Sequence, residues 1–132
     1  MEFLNVIAAA LAAFAFGAVW YLGMSAKWLA AAEITNGRPG MKERGGSGIA
    51  AFGIGLVAMI VVAGMMRQLL VQAGVTSVGG GAVAGFGVGA FFITPWVAMN
   101  YAFAKRKPEL TVIDGVNSVV GCTIMGAVLN LF

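Results

Sequence analysis

Histidine is missing from this 132-residue chain, cysteine occurs once, and charged residues make up only 10% of it. Each absence excludes something. Without histidine there is no commonest general base, no commonest metal ligand and no ordinary switch near neutral pH. With Cys122 alone, no disulfide and no thiolate metal cluster can form within one chain. The scarcity of charge excludes more. A soluble domain carries about 25% charged and about 45–50% apolar residues; here apolar residues reach 61%. So few charges cannot cover a water-facing surface, whereas in lipid charge is what must be kept out.

What is present is long apolar runs. Phe3 to Met24 has no charged residue and is long enough to cross a bilayer core, which needs about 20 residues. No lysine or arginine precedes it, so it reads as a retained helix rather than a secretory signal. Residues 25–47 hold Lys27, Glu33, Arg38, Lys42, Glu43 and Arg44 with paired Gly and Pro turn signals, and are expected to be loop. Within it, Lys27 to Ile34 is expected as a short interfacial helix beside Trp28. A second span is expected over 48–67, ending at Arg67. The uncharged stretch Gln68 to Ala104 is too long for one ordinary span and is broken near Val75-Thr76-Ser77 and Gly79-Gly80-Gly81, which leaves a third span over 82–104. Lys105-Arg106-Lys107-Pro108-Glu109 is a charged turn, and a fourth span covers 111–131. The fold expected is all-α: one polytopic transmembrane domain over residues 1–132, a small bundle of four helices.

Lysine and arginine orient it. All of the basic residues except Arg67 fall in or beside the loops 25–47 and 105–110, which share one side. The positive-inside rule places those loops in the cytoplasm and both termini outside, in a cell inner membrane. The net charge of +3 is then topological. No basic stripe with interleaved aromatics points to nucleic acid, and no nucleic-acid partner is expected. Trp20-Tyr21 before Lys27 and Trp96 with Asn100-Tyr101 before Lys105 form a weak echo, which either two similar hairpins or ordinary interfacial anchoring explains.

In lipid, helices associate through small residues that let backbones approach. Gly81, Gly85 and Gly89 recur every fourth position on one face, which a regular helix continues through Phe92, Trp96 and Asn100. Gly53 and Gly64 in the second span and Gly121 in the fourth are further packing candidates, with Gly126. The Gly85-x-Gly87-x-Gly89 run is not a nucleotide loop, because no strand precedes it and no Lys-Ser/Thr follows. Small faces on every helix lead us to expect a homo-oligomer or other membrane subunits as partners, besides the bilayer.

Asp114 is the one acid inside an expected span, and such a residue is a functional candidate by default. Asn117 and Ser118 share its face. Asn100, Tyr101, Trp20, Tyr21 and Lys27 fall at similar depth, so Asp114, Asn117, Asn100, Tyr101, Trp20 and Lys27 form the candidate ligand-binding set. A structural reading stands beside it. Thr111-Val-Ile-Asp114 has capping-box spacing, which would make Asp114 part of a helix N-terminus. The aromatics are also ordinary interfacial anchors. Arg67 reads as snorkelling to the outer surface, and Cys122 as packing.

Gly17-Ala-Val-Trp20-Tyr21, Lys27-Trp28, Asn100-Tyr101-Ala-Phe103 and Ile113-Asp114-Gly115 leading to Met125-Gly126-Ala127 occur in an order and spacing that resembles the bacterial domain-of-unknown-function 1761 family of small four-helix membrane proteins. The likeness spans nearly the whole chain. Where that family often has a tyrosine after the glycine of the fourth helix, this chain has Val116-Asn117. The resemblance implies a fold and no activity.

The functional expectation is therefore an oligomeric transporter or channel for a small solute or ion. The alternative is an accessory subunit of a larger membrane complex. No catalytic residue, metal ligand or cofactor is assigned, and the cofactor question stays open because apolar faces can hold one without a motif. An enzyme is not expected.

Overall fold

The computed structural model describes residues 2–32 and 48–132. The expected turn signals and charges from Glu33 to Ser47 lie outside the described residues. Among the described residues, four helices are long and apolar enough to cross a membrane, Phe3–Ala31, Ile49–Gln72, Val78–Phe103 and Pro108–Leu129. At 1.5 Å per residue they run about 33 to 44 Å, against a hydrocarbon core of about 30 Å. Phe3, Val19, Leu22, Ile49, Phe91 and Phe103 all point outward and are exposed. That is the surface lipid requires. The chain is an all-α, multi-pass membrane bundle.

Helix α1 is Glu2–Ala31 and α2 is Gly48–Gln72. The third span is α3 (Val78–Gly87), a π-helical segment (Val88–Ile93) and α4 (Thr94–Phe103); α5 is Pro108–Leu129. Helix boundaries correct the sequence reading: the third span starts at Val78 rather than at 82 and the fourth at Pro108 rather than at 111, and the first two spans run longer. The first helix does not stop near Met24; it continues through Lys27 and Trp28, so no separate interfacial helix begins at Lys27. Ser25 and Lys27 are exposed on this helix and interrupt no bond of it. The second span runs past Arg67 to Gln72. It closes at Gly74, whose φ of 68° is left-handed. There Val75 N–H donates to Leu70 C=O and Gly74 N–H to Val71 C=O, the paired bonds that terminate a helix on glycine. Ser77 then starts α3, its hydroxyl accepting from Gly80 N–H at 3.0 Å.

Helix α5 is the centre of the bundle and touches every other span; α2 lies outermost and rests mainly on α1. Ala9, Ala10 and Ala13 of α1, Ala63, Met66 and Leu70 of α2, and Cys122, Met125 and Leu129 of α5 form the main core. Its alanines draw α1 close to its neighbours. The approach of the third span to α5 is closer still. A Cβ at Gly81 would strike the carbonyl of Gly126, and one at Gly126 would strike the carbonyl of Gly81. One at Gly85 would strike the Cys122 carbonyl, and one at Gly89 would come to 2.6 Å from Val119 Cα. Gly115 meets Thr94 Cγ2 at 3.0 Å on the same criterion. The pairs 81/126, 85/122 and 89/118 step antiparallel in one register, and 94/115 continues the contact with the register shifted across the π segment. A Cβ at Gly64 would lie 4.0 Å from Val6 Cγ1, whereas one at Gly53 or Gly121 would meet no neighbouring helix within 4 Å.

The π segment changes which residues that contact carries onward. Pro95 has no N–H to give the Phe91 carbonyl and its ring crowds that position, so a regular α-helix is strained just before it. The chain widens there instead: Thr94 N–H bonds to Gly89 C=O, five residues back, and the Thr94 hydroxyl donates to the same oxygen at 2.7 Å. The inserted residue turns everything beyond it by about 100°. The face expected through Phe92, Trp96 and Asn100 is therefore corrected. Phe92 and Trp96 are 74% and 67% exposed, and Asn100 is exposed, while Tyr101 turns inward.

Gly85→Leu is expected to lower stability in detergent by roughly 1–3 kcal/mol or to prevent folding, since the α5 backbone cannot yield. Gly87→Ala, at a position with nothing within 4 Å, should leave the unfolding midpoint nearly unchanged. Equal losses for both would contradict the register.

Candidate functional site

Asp114 lies six residues after the start of α5, about 9 Å along its axis. The helix begins at Pro108, with Lys107 as its N-cap and Glu109 in its first turn. Thr111 is thus inside the helix, and the capping-box reading of Asp114 is corrected. Proline, with its φ already helical, starts the helix three residues earlier than the threonine could.

Three neutral donors converge on the Asp114 carboxylate instead. Tyr21 Oη donates to Oδ1 at 2.6 Å, Trp28 Nε1 to the same oxygen at 3.1 Å, and Tyr101 Oη to Oδ2 at 2.5 Å. An ionised carboxylate only accepts, so three donors suit it. Tyr21 and Trp28 are seven residues apart, two turns on one face of α1, which is why a continuous α1 presents both. Their rings stand at 84° with centroids 6.3 Å apart, forming a corner against the carboxylate. Trp20 also reaches α5, its Nε1 donating to Ile113 C=O at 3.1 Å. The Ser118 hydroxyl turns back to the Asp114 C=O at 2.9 Å. Nearer the charged turn, Ala31, Ala32 and Leu110 are buried against Trp28 and Tyr101, and Arg106 Nη1 donates to Ala32 C=O at 3.2 Å.

The candidate residues therefore divide. Asp114, Tyr101 and Trp20 come together with Trp28 and Tyr21. Asn100 is exposed, away from them, because of the π insertion. Lys27 is exposed and lines a separate groove with Lys107, Pro108 and Glu109. Asn117 sits one turn deeper than Asp114. Its Oδ1 is buried and accepts no hydrogen bond from the described residues. Gly17 makes room for it: a Cβ there would be 3.2 Å from that oxygen.

Two cavities open between α1 and α2 and share Phe14, Tyr21 and Phe52. One, of about 460 Å³, is lined by Gly17, Gly55, Met59 and other apolar residues, with Asn117 at its wall. The other, of about 560 Å³, runs past Ser25, Trp28 and Leu29 to Asp114. Together they make one cleft, apolar along most of its length, with Asp114 the only charged residue lining it among the described residues. No group of histidine, cysteine or acidic side chains able to hold a metal occurs among the described residues.

The role of Trp28 escapes a reading that ends the first helix at Met24. The seven-residue spacing from Tyr21 was the available signal.

Residues 4–130 match the model of a family described as a protein of unknown function, DUF1761. No curated protein and no solved structure matches the chain.

Tyr101→Phe is expected to lower stability by roughly 1.5–3 kcal/mol, the range for a hydrogen bond to a charged group, read by thermal unfolding in detergent. Asn100→Ala should change it by less than about 0.5 kcal/mol, as for an exposed side chain. The reverse order would mean that Asn100, not Tyr101, faces α5.

Proposed function

Because the chain belongs to the DUF1761 family, whose description carries no activity, we propose a function from the geometry: the protein binds a small solute in the cleft between α1 and α2 and moves it across the membrane. The observation that carries this is the convergence of the cleft on Asp114 and Asn117. One is a carboxylate that lines open volume; the other belongs to a side chain on the cavity wall whose amide oxygen is itself buried and unpartnered. Buried polar groups in a membrane ordinarily pair off completely. Here an acceptor is left unpaired just behind a cavity wall, where a turn of the Asn117 side chain would bring it to a bound solute.

The basic residues orient the site. With the end of α1 that carries Lys27 and the end of α4 beside Lys105 on the cytoplasmic side of an inner membrane, Asp114 lies near the cytoplasmic end of the bundle and Asn117 deeper. A solute would then meet the carboxylate first. The cleft is bounded on one side by α2, the span least held by the rest of the bundle, and movement of α2 relative to α1 is the natural way to open it. A second copy of the chain covering this side would complete the enclosure, so a homo-oligomer belongs to the proposal. No chemical step is assigned to any residue.

Proteoliposomes incubated with a mixture of small amphiphilic metabolites, washed and analysed by mass spectrometry, test this. At least one compound should accumulate with the wild-type protein and fall at least tenfold with Asp114→Asn. Gly55→Phe, which fills the cleft from α2 beside Phe14 without touching the Asp114 hydrogen bonds, should abolish the same accumulation with unfolding unchanged. Accumulation indifferent to both changes, or none at all, would overturn the proposal.

A further inference from the structure

Resting on that reading of the cleft, we infer that the solute is a lipophilic organic cation, an alkylated ammonium or similar onium group on an apolar body. Charge decides the sign. The three donors on Asp114 are two phenols and an indole, which stabilise a negative charge but do not cancel it. Among the described residues, no basic side chain lines either cavity. The cleft therefore presents a formal negative charge in an apolar setting, where attraction between opposite charges is much stronger than in water. An anion is repelled there, and a neutral molecule leaves the charge as it was.

The walls decide the shape. Tyr21 and Trp28 stand edge to face beside the carboxylate, their planes at 84°, and both line the cavity that reaches it. Aromatic faces around a cation are the recognised means of holding alkylated ammonium groups, which cannot donate hydrogen bonds. Such a cation also leaves the Asp114 hydrogen bonds in place, since it approaches the charge without competing for lone pairs. The rest of the cleft, along Phe14, Ala18, Leu22, Phe52 and Met59, accepts an apolar body. Volumes of about 460 and 560 Å³ admit a molecule of one or two rings. Asn117 gives a second, deeper point of contact for a solute that also carries a hydroxyl or amine donor.

The test uses a matched pair of probes: benzyltrimethylammonium and neopentylbenzene, which share shape and differ in the charge of one central atom. Binding to the intact protein in nanodiscs is followed by tryptophan fluorescence and calorimetry. The cation should bind saturably and at least about tenfold more tightly than its neutral twin. Asp114→Asn should weaken the cation at least about tenfold and leave the neutral probe unaffected. Trp28 separates recognition from architecture. Trp28→Phe keeps a ring and loses the indole N–H, whereas Trp28→Leu loses both, so cation affinity should fall more with leucine than with phenylalanine while the two variants unfold alike. Equal binding of both probes would overturn the cation assignment and leave the cleft as a solute site. Cation binding that ignores Asp114→Asn would also overturn it. Binding of neither probe would overturn it too, and the cleft reading would then stand or fall on accumulation in the metabolite mixture.

Discussion

The close contact of the third span with α5 is what the rest of the bundle depends on. Lipid offers no hydrophobic drive to press helices together, so they must gain packing from proximity. Gly81, Gly85 and Gly89 against Gly126, Cys122 and the Ser118–Val119 backbone provide it, because a Cβ at any of these glycines would overlap main-chain atoms. That contact fixes how α5 is rotated, and so fixes which way Asp114 faces. With α1 on its other side, α5 becomes a central post whose polar residues are read by two neighbours at once.

A carboxylate in such a place needs company. Tyr21 and Trp28 supply it from α1 and Tyr101 from α4, so three spans meet at one charge. The arrangement depends on Pro95. By opening the helix into a π segment, it advances the inward face by one residue and places Tyr101 rather than Asn100 against α5. Packing and chemistry are linked here. The same irregularity that relieves the proline selects the donor that reaches the carboxylate.

Much of the fold was legible in the sequence. Apolar runs separated by two charged turns and one uncharged, glycine-rich break gave the four spans, and the every-fourth glycine pattern marked the face that meets α5. Asp114 stood out because an acid inside a span is rare. Its surroundings were harder to read. A charge at Lys27 looked like a helix boundary, which separated Tyr21 from Trp28 and hid their common face. The straight extension of the glycine face to Asn100 assumed a regular helix, and the one-residue insertion before Pro95 has no periodic signature. The Thr111–Asp114 spacing imitated a cap because the true start, at Pro108, lay inside what looked like the charged turn. Two of these errors misplaced a helix boundary, and the third was one of phase along a helix.

Asp114 is the only aspartate in the chain, and Tyr21 and Tyr101 are the only tyrosines. Solid-state NMR of the protein in bilayers, with aspartate labelled at its carboxyl carbon and tyrosine at the hydroxyl-bearing carbon, therefore sees this site alone. The account predicts through-space cross-peaks from the one carboxylate to both tyrosines, and a shift of the carboxylate resonance when benzyltrimethylammonium is added. A carboxylate with no tyrosine cross-peak would contradict the account at its centre.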